Sequence, residues 1–122
     1  MKADCYRYLA EYKVEDARQA AVNQALADYT SAQEMANRLP TTNHVRLGLS
    51  LNFSVFWYSV MDEPLMACAV ARSAYDQALG DLVYLGPLCT GNYKASVLIM
   101  RSLRDNLEQW DSEMKGDDEA NS

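Results

Sequence analysis

The chain has 122 residues, 49% of them apolar, and a formal net charge of −6. That length suits one domain with a substantial core. The acidic balance argues against a nucleic-acid or anionic-membrane surface, which requires a basic footprint, and leaves room for a small local basic site. Cys5, Cys68 and Cys89 are odd in number and show no CxxC spacing, and His44 is the one histidine. These residues make neither a zinc set nor a disulfide framework, so no metal and no cofactor is expected. Met1 and Lys2 lead into polar sequence rather than an apolar leader. The greasiest stretch, Leu47 to Met61, is interrupted by Ser50, Asn52, Ser54 and Ser59 and is too short to span a bilayer. Free thiols in a reducing compartment and a cytoplasmic location are the expectation.

In chain order, "DCYRYLAEY" places Cys5, Leu9 and Tyr12 on one helical stripe. A first helix is expected near Asp4–Lys13. The Ala-, Gln- and Glu-rich segment that follows predicts a long second helix, Asp16–Leu39. "PTTN" at Pro40 to Asn43 breaks it and offers a side-chain cap to a third helix, His44–Met61. "DEP" at Asp62 to Pro64 is the next break, with Pro64 suited to the first turn of a fourth helix, Leu65–Leu82. "GPLCTGN" from Gly86 reads as a loop, and Asn92 as the cap of a fifth helix ending at Trp110. No β-alternation of useful length occurs. The expected fold is all-α, an antiparallel bundle of about five helices. Residues 1–110 form the domain, and 111–122, with five acidic residues and one lysine, form an acidic disordered tail.

Two helices carry a mixed face. At 100° per residue, Gly48, Leu51, Asn52, Val55 and Ser59 share one side of the third helix. Leu98, Ile99, Ser102, Asn106 and Trp110 share a sector of the fifth. A buried amide without a partner costs about 1–3 kcal/mol, so each Asn needs either an internal partner or a ligand. An Asn side chain both donates and accepts, which suits the backbone of an extended peptide.

Three stretches, "MKADCYRYLAEY", "RLGLSLNFSVFWYSV" and "LIMRSLRDNLEQW", resemble the C-terminal half of 14-3-3 proteins, in the right order and with fitting spacing. The resemblance covers nearly the whole chain and is loose between Glu15 and Arg38. It implies an adaptor without catalysis that clamps phosphoserine or phosphothreonine segments of client proteins. Arg7 and Tyr8 match the phosphate-holding pair, and Asn52 and Asn106 the asparagines that bond the client backbone. Leu51, Val55, Leu98, Ile99 and Trp110 match the apolar groove wall. The chemistry agrees with this, since a guanidinium pairs bidentately with phosphate and a tyrosine hydroxyl can donate to another oxygen.

The chain also departs from the family pattern. Nothing in it corresponds to the family's first four helices, which carry the dimer interface, a lysine and a second arginine of the phosphate pocket. A family-type dimer is therefore not expected, and phosphopeptide binding is expected to be weakened. Ser59 stands where the family has a glutamate, and Ser102 where it has a leucine. The competing reading is a helical scaffold that binds apolar peptides without phosphate dependence. An enzymatic reading finds no Ser-His-Asp or Cys-His set to build from.

Overall fold

A computed structural model describes the backbone of residues 2–85 and 93–121, and the side chains of residues 13–83 and 93–116. Four helices follow in order: α1, Lys2–Ala36; α2, His44–Ser59; α3, Pro64–Leu85; and α4, Tyr93–Asn121. Among the described residues there is no strand, so the all-α expectation holds. The helix count does not. The expected first and second helices are one continuous helix of 35 residues. The physical reason lies at Lys13–Asp16, where neither Gly nor Pro interrupts a run of tolerated helix residues. Asp16, available as a cap, becomes interior instead. Along α1 the amides of Gln19, Gln24 and Gln33 each donate to the residue four further on, Asn23, Asp28 and Asn37. Such pairs support a helix by a few tenths of a kcal/mol each, about 0.2–0.5.

The breaks at "PTTN" and "DEP" fall where expected. Asn43 caps α2, its side-chain oxygen accepting from the backbone N–H of Val45 at 2.9 Å and of Arg46 at 3.3 Å. At the other end the chain reverses through Asp62, whose φ of 55° lies in the left-handed region that Asp tolerates better than most residues. The Glu63 N–H then donates to the Trp57 carbonyl, and Pro64 opens α3. The expected loop from Gly86 to Asn92, its capping Asn92, and Cys89 lie outside the described residues. So do Met1, Ser122 and the Cys5 side chain.

Residues 111–122, expected as a disordered tail, continue α4 as far as Asn121. Contacts beyond Trp110 account for the continuation. Arg72 pairs with Asp111 at 3.3 Å, the Tyr58 hydroxyl donates to Glu113, and Met114 packs on the core.

Successive helices run antiparallel, and α2 is the centre of the arrangement. Its partners on the α1 side are Tyr29, stacked on Phe53 with ring centroids 5.2 Å apart and tilted against Phe56 at 5.1 Å. Ser50 donates to Gln33 one turn further along the same interface. The main core lies between α2, α3 and α4 and joins Leu47, Ala67, Ala71, Ala78, Leu103 and Leu107. Small residues on α3 let that helix approach closely, and Ala67, Ala71 and Ala78 have no exposed surface. A buried bond from the Ser96 hydroxyl to the Thr42 carbonyl, 2.6 Å, fastens the start of α4 to the turn before α2. The buried Trp57 Nε1–H has no hydrogen-bond partner among the described residues, an uncompensated polar group in an otherwise apolar wall.

The Cys68 thiol is buried beneath α4. Burial pushes its pKa up from the ordinary 9.0, with the Asp111 charge adding to the shift and Arg72 opposing it. The protonated thiol is the favoured folded form. Its stabilising contribution is therefore complete below 9.0 and lost as pH rises from there through the raised folded value. Urea titrations between about pH 8 and pH 10.5 are expected to show stability falling more steeply with pH in the unaltered chain than in Cys68→Ala. A second expectation concerns the α1–α2 contact. Phe53→Ala removes the ring that both Tyr29 and Trp57 meet. It should cost about 3–5 kcal/mol in the same measurement, against less than about 1 kcal/mol for an exposed control such as Val14→Ala.

Candidate functional site

The mixed faces identified on the sequence meet along one seam. Ile99 Cδ1 lies 3.8 Å from the position a Cβ on Gly48 would occupy. Further along, Tyr58 stacks on Trp110 at 4.7 Å. These two contacts show that α2 and α4 run parallel, with Gly48 level with Ile99 and Tyr58 level with Trp110. In that register Asn52 is level with Leu103, and Asn106 with Val55. The two asparagines thus belong to facing edges of the same seam, about one helical turn apart along it.

Their environment answers the question that the amides pose on the sequence. Asn52 is exposed and Asn106 half-buried, and neither has a hydrogen-bond partner among the described residues. The internal partner that would satisfy each amide is therefore not in the described fold. Both amides face outward with donor and acceptor free, beside the exposed apolar side chains of Val55 and Leu98, 39% and 60% accessible.

The expected wall residues separate into two levels. Val55 and Leu98 are at the surface. Leu51 and Ile99 are half-buried and pack against the core, forming a floor beneath them. Trp110 is not an open wall residue. It is 4% exposed and belongs to the core, because on α4 it lies close to the buried line of Leu103 and Leu107. Its contribution to the seam is indirect, through the Tyr58 ring it supports. Ser102 is exposed on the α4 edge and spends its hydroxyl on the Leu98 carbonyl one turn back, at 3.2 Å.

The side chains of Arg7 and Tyr8, the expected phosphate pair, lie outside the described ones. Their backbone belongs to α1. Arg18 and Gln19 share a hollow with Val60 and Met61 just past the end of α2. With α1 continuous, the backbone at Arg7 is about 16 Å beyond that level, counting 1.5 Å per residue from Arg18. The structure brings Asn52 and Asn106 to one seam, while the side chains of Arg7 and Tyr8 are not among the described ones.

The seam itself is electrically quiet. The α2 edge, Val45, Gly48, Asn52, Val55 and Ser59, has no charge. On the facing edge of α4 the carboxylate of Glu113 receives the Tyr58 hydroxyl and closes the far end. Sequence reasoning missed this clasp. The tyrosine and the glutamate are far apart in the chain, and their meeting depends on the α2–α4 register, which no local pattern reports. Among the described residues no group of three or more His, Cys, Asp or Glu side chains could hold a metal ion, and no helix is long and apolar enough to cross a membrane.

Residues 1–111 match the family model described as 14-3-3 protein. Similar curated proteins include a 14-3-3-like protein of Helianthus annuus, 48% identical over 118 residues, covering 96% of this chain and 44% of the relative. The 14-3-3-like protein GF14 iota of Arabidopsis thaliana is also 48% identical, covering 96% of this chain and 43% of its own length. A 14-3-3 protein of Giardia intestinalis is 47% identical over 120 residues, covering 98% and 47%. The chain spans less than half the length of these relatives.

Because Asn52 and Asn106 carry no fold-stabilising bond, their removal should leave stability unchanged. Asn52→Ala and Asn106→Ala are each expected to shift the unfolding free energy by less than about 0.5 kcal/mol, the range for surface positions. A loss of about 1–3 kcal/mol would show that the amide is bonded within the fold after all.

Proposed function

Since this chain belongs to the 14-3-3 family, we propose that it is a client-binding adaptor that takes an extended peptide segment along the α2–α4 seam. The observation that carries this reading is the pair of amides, Asn52 and Asn106, unbonded within the described fold and aligned on facing edges beside Val55 and Leu98. An extended peptide presents backbone N–H and C=O groups along its length. An Asn side chain can bond both kinds, and the apolar groups between take alternate side chains. The client segment is phosphoserine- or phosphothreonine-containing, with Arg7 and Tyr8 as the phosphate-holding pair in a conformation that brings the start of α1 toward the seam.

A second reading has its own support. The α2 edge of the seam holds no cation, and Arg7 lies on α1 rather than on either helix of the seam. On that reading the chain is a scaffold that binds apolar peptides whether or not they are phosphorylated.

Fluorescence anisotropy with a phosphoserine peptide, its unphosphorylated twin, and the Arg7→Ala variant separates the two. The adaptor reading expects the phosphorylated peptide to bind about 10- to 100-fold tighter, the worth of one bond to a charged group, and expects Arg7→Ala to erase the difference. Equal binding of both peptides selects the scaffold reading. Binding unchanged by Asn52→Ala and Asn106→Ala would remove the seam from either account.

A further inference from the structure

A second concave site lies on the opposite side of α2 from the asparagines. It is a cleft of about 380 Å³ between α1, α2 and α3. Leu47, Phe53 and Val70 contribute apolar surface to it, and the side chains of Gln33, Asn37, Ser50, Ser73 and Gln77 line it with neutral donors and acceptors. One cation, Arg46, is set among them.

We propose that this cleft binds a monocarboxylate bearing an apolar side chain, with the Arg46 guanidinium as the group that holds the carboxylate.

Arg46 is half-buried, and every partner it has is neutral. One terminal nitrogen donates to the Asn37 carbonyl at 3.3 Å and the Leu39 carbonyl at 2.7 Å. The other reaches the Gln77 side-chain oxygen at 3.4 Å, a long contact. Among the described residues no carboxylate is paired with it. A guanidinium has five N–H donors in a rigid fork, and these contacts leave donors over. The bonds to Asn37 and Leu39 finish the carbonyls at the end of α1, a structural task, but they return no negative charge. A partly buried cation without a counter-charge is where an anion gains most.

The character of the anion follows from the surroundings. A single guanidinium matches a single negative charge. Asp81 receives the hydroxyl of Thr41, a lining residue, and the chain as a whole carries −6, which weighs more heavily against a dianion than against a monoanion. The amides of Gln33, Asn37 and Gln77 can bond a neighbouring peptide-like group, while Val70 and the edge of Phe53 offer contact to an aliphatic side chain. An acylated apolar amino acid and the free C-terminus of a polypeptide share this chemistry, and the cleft has room for either.

The experiment is a titration of isotope-labelled protein, followed by backbone amide shifts, with four probes. They are N-acetyl-leucine, N-acetyl-leucinamide, and a hexapeptide ending in leucine with a free or an amidated C-terminus. The expected result is that the acids shift resonances of Arg46, Ser73 and Gln77 but not of Asn52 or Asn106, with affinity about 10- to 100-fold above the matching amides, as one bond to a charged group implies. Saturation by N-acetyl-leucine and the peptide acid alike would assign the site to the carboxylate end itself. A peptide acid at least tenfold tighter than N-acetyl-leucine would assign it to a polypeptide C-terminus. Acid and amide binding equally, or no shift at these residues at about 10 mM probe, overturns the proposal. Arg46→Gln should abolish binding, but it also unties the end of α1. Ser73→Tyr therefore serves as the second variant, since it fills the cleft from α3 and leaves the Arg46 bonds to the Asn37 and Leu39 carbonyls in place, though it removes the hydroxyl to which Gln77 donates. Acid binding that survives Ser73→Tyr in a protein with an unaltered melting profile also overturns it.

Discussion

The structure depends on one constraint, which is that a 16-residue helix, α2, is apolar or small on nearly every side and must be covered on most of them. Each neighbour meets it by different means. α1 does so through aromatic rings, with Tyr29 set against Phe53 and Phe56. α3 presents alanines that permit close approach, and α4 brings Ile99 against Gly48 and Trp110 against Tyr58. Three neighbours cannot enclose a cylinder completely. The strip left over, Val45, Asn52, Val55 and Ser59, is the one on which α2 changes from apolar to mixed, so the place where coverage fails is also the place where the amides stand. The seam is in this sense a by-product of packing geometry, to which the sequence supplied polar groups.

α2 also separates two chemistries. Its own edge of the seam carries the Asn52 amide and aliphatics and no charge. Its other side carries Arg46, held by carbonyls and an amide at the head of a polar cleft. The helix is only about 10 Å across with its side chains, so two ligands on opposite faces would share one rigid element. Ser50 and Leu51 are adjacent residues, yet Ser50 lines the cleft and Leu51 lies beneath the seam. Any displacement of α2 by one occupant is delivered directly to the other side.

Much of this was legible in the sequence, and the reasons for what was not are specific. The turns at Pro40–Asn43 and Asp62–Pro64 were readable because Asn and Pro act locally, through a cap and a fixed φ. The mixed faces were readable because helical period alone puts Asn52 beside Val55 and Asn106 beside Ile99. The junction near Lys13 was misread because the stripe of Cys5, Leu9 and Tyr12 and the Ala-rich segment after it read as two patterns, while no Gly or Pro between them breaks the helix. Trp110 was placed one level too high, since period gives a sector but not the depth at which a neighbour such as Tyr58 covers it. The Tyr58–Glu113 clasp, the continuation of α4 past Trp110, and the cleft around Arg46 all depend on which helices become neighbours, and no local pattern carries that information.

The one-sided seating of α1 has a mechanical consequence. Among its described side chains, the bonds and ring contacts to α2 fall in the half from Val22 to Ala36, where Tyr29 and Gln33 grip it, whereas residues 13–20 are exposed. A helix without an internal joint transmits torque along its length, so a load applied near its start acts on Tyr29 as a lever acts on a hinge pin. The aromatic cluster is the fulcrum, and prising it open frees α1 while leaving the alanine-lined core of α2, α3 and α4 intact. The molecule therefore has a built-in order of yielding, with the long arm first and the three-helix body afterwards.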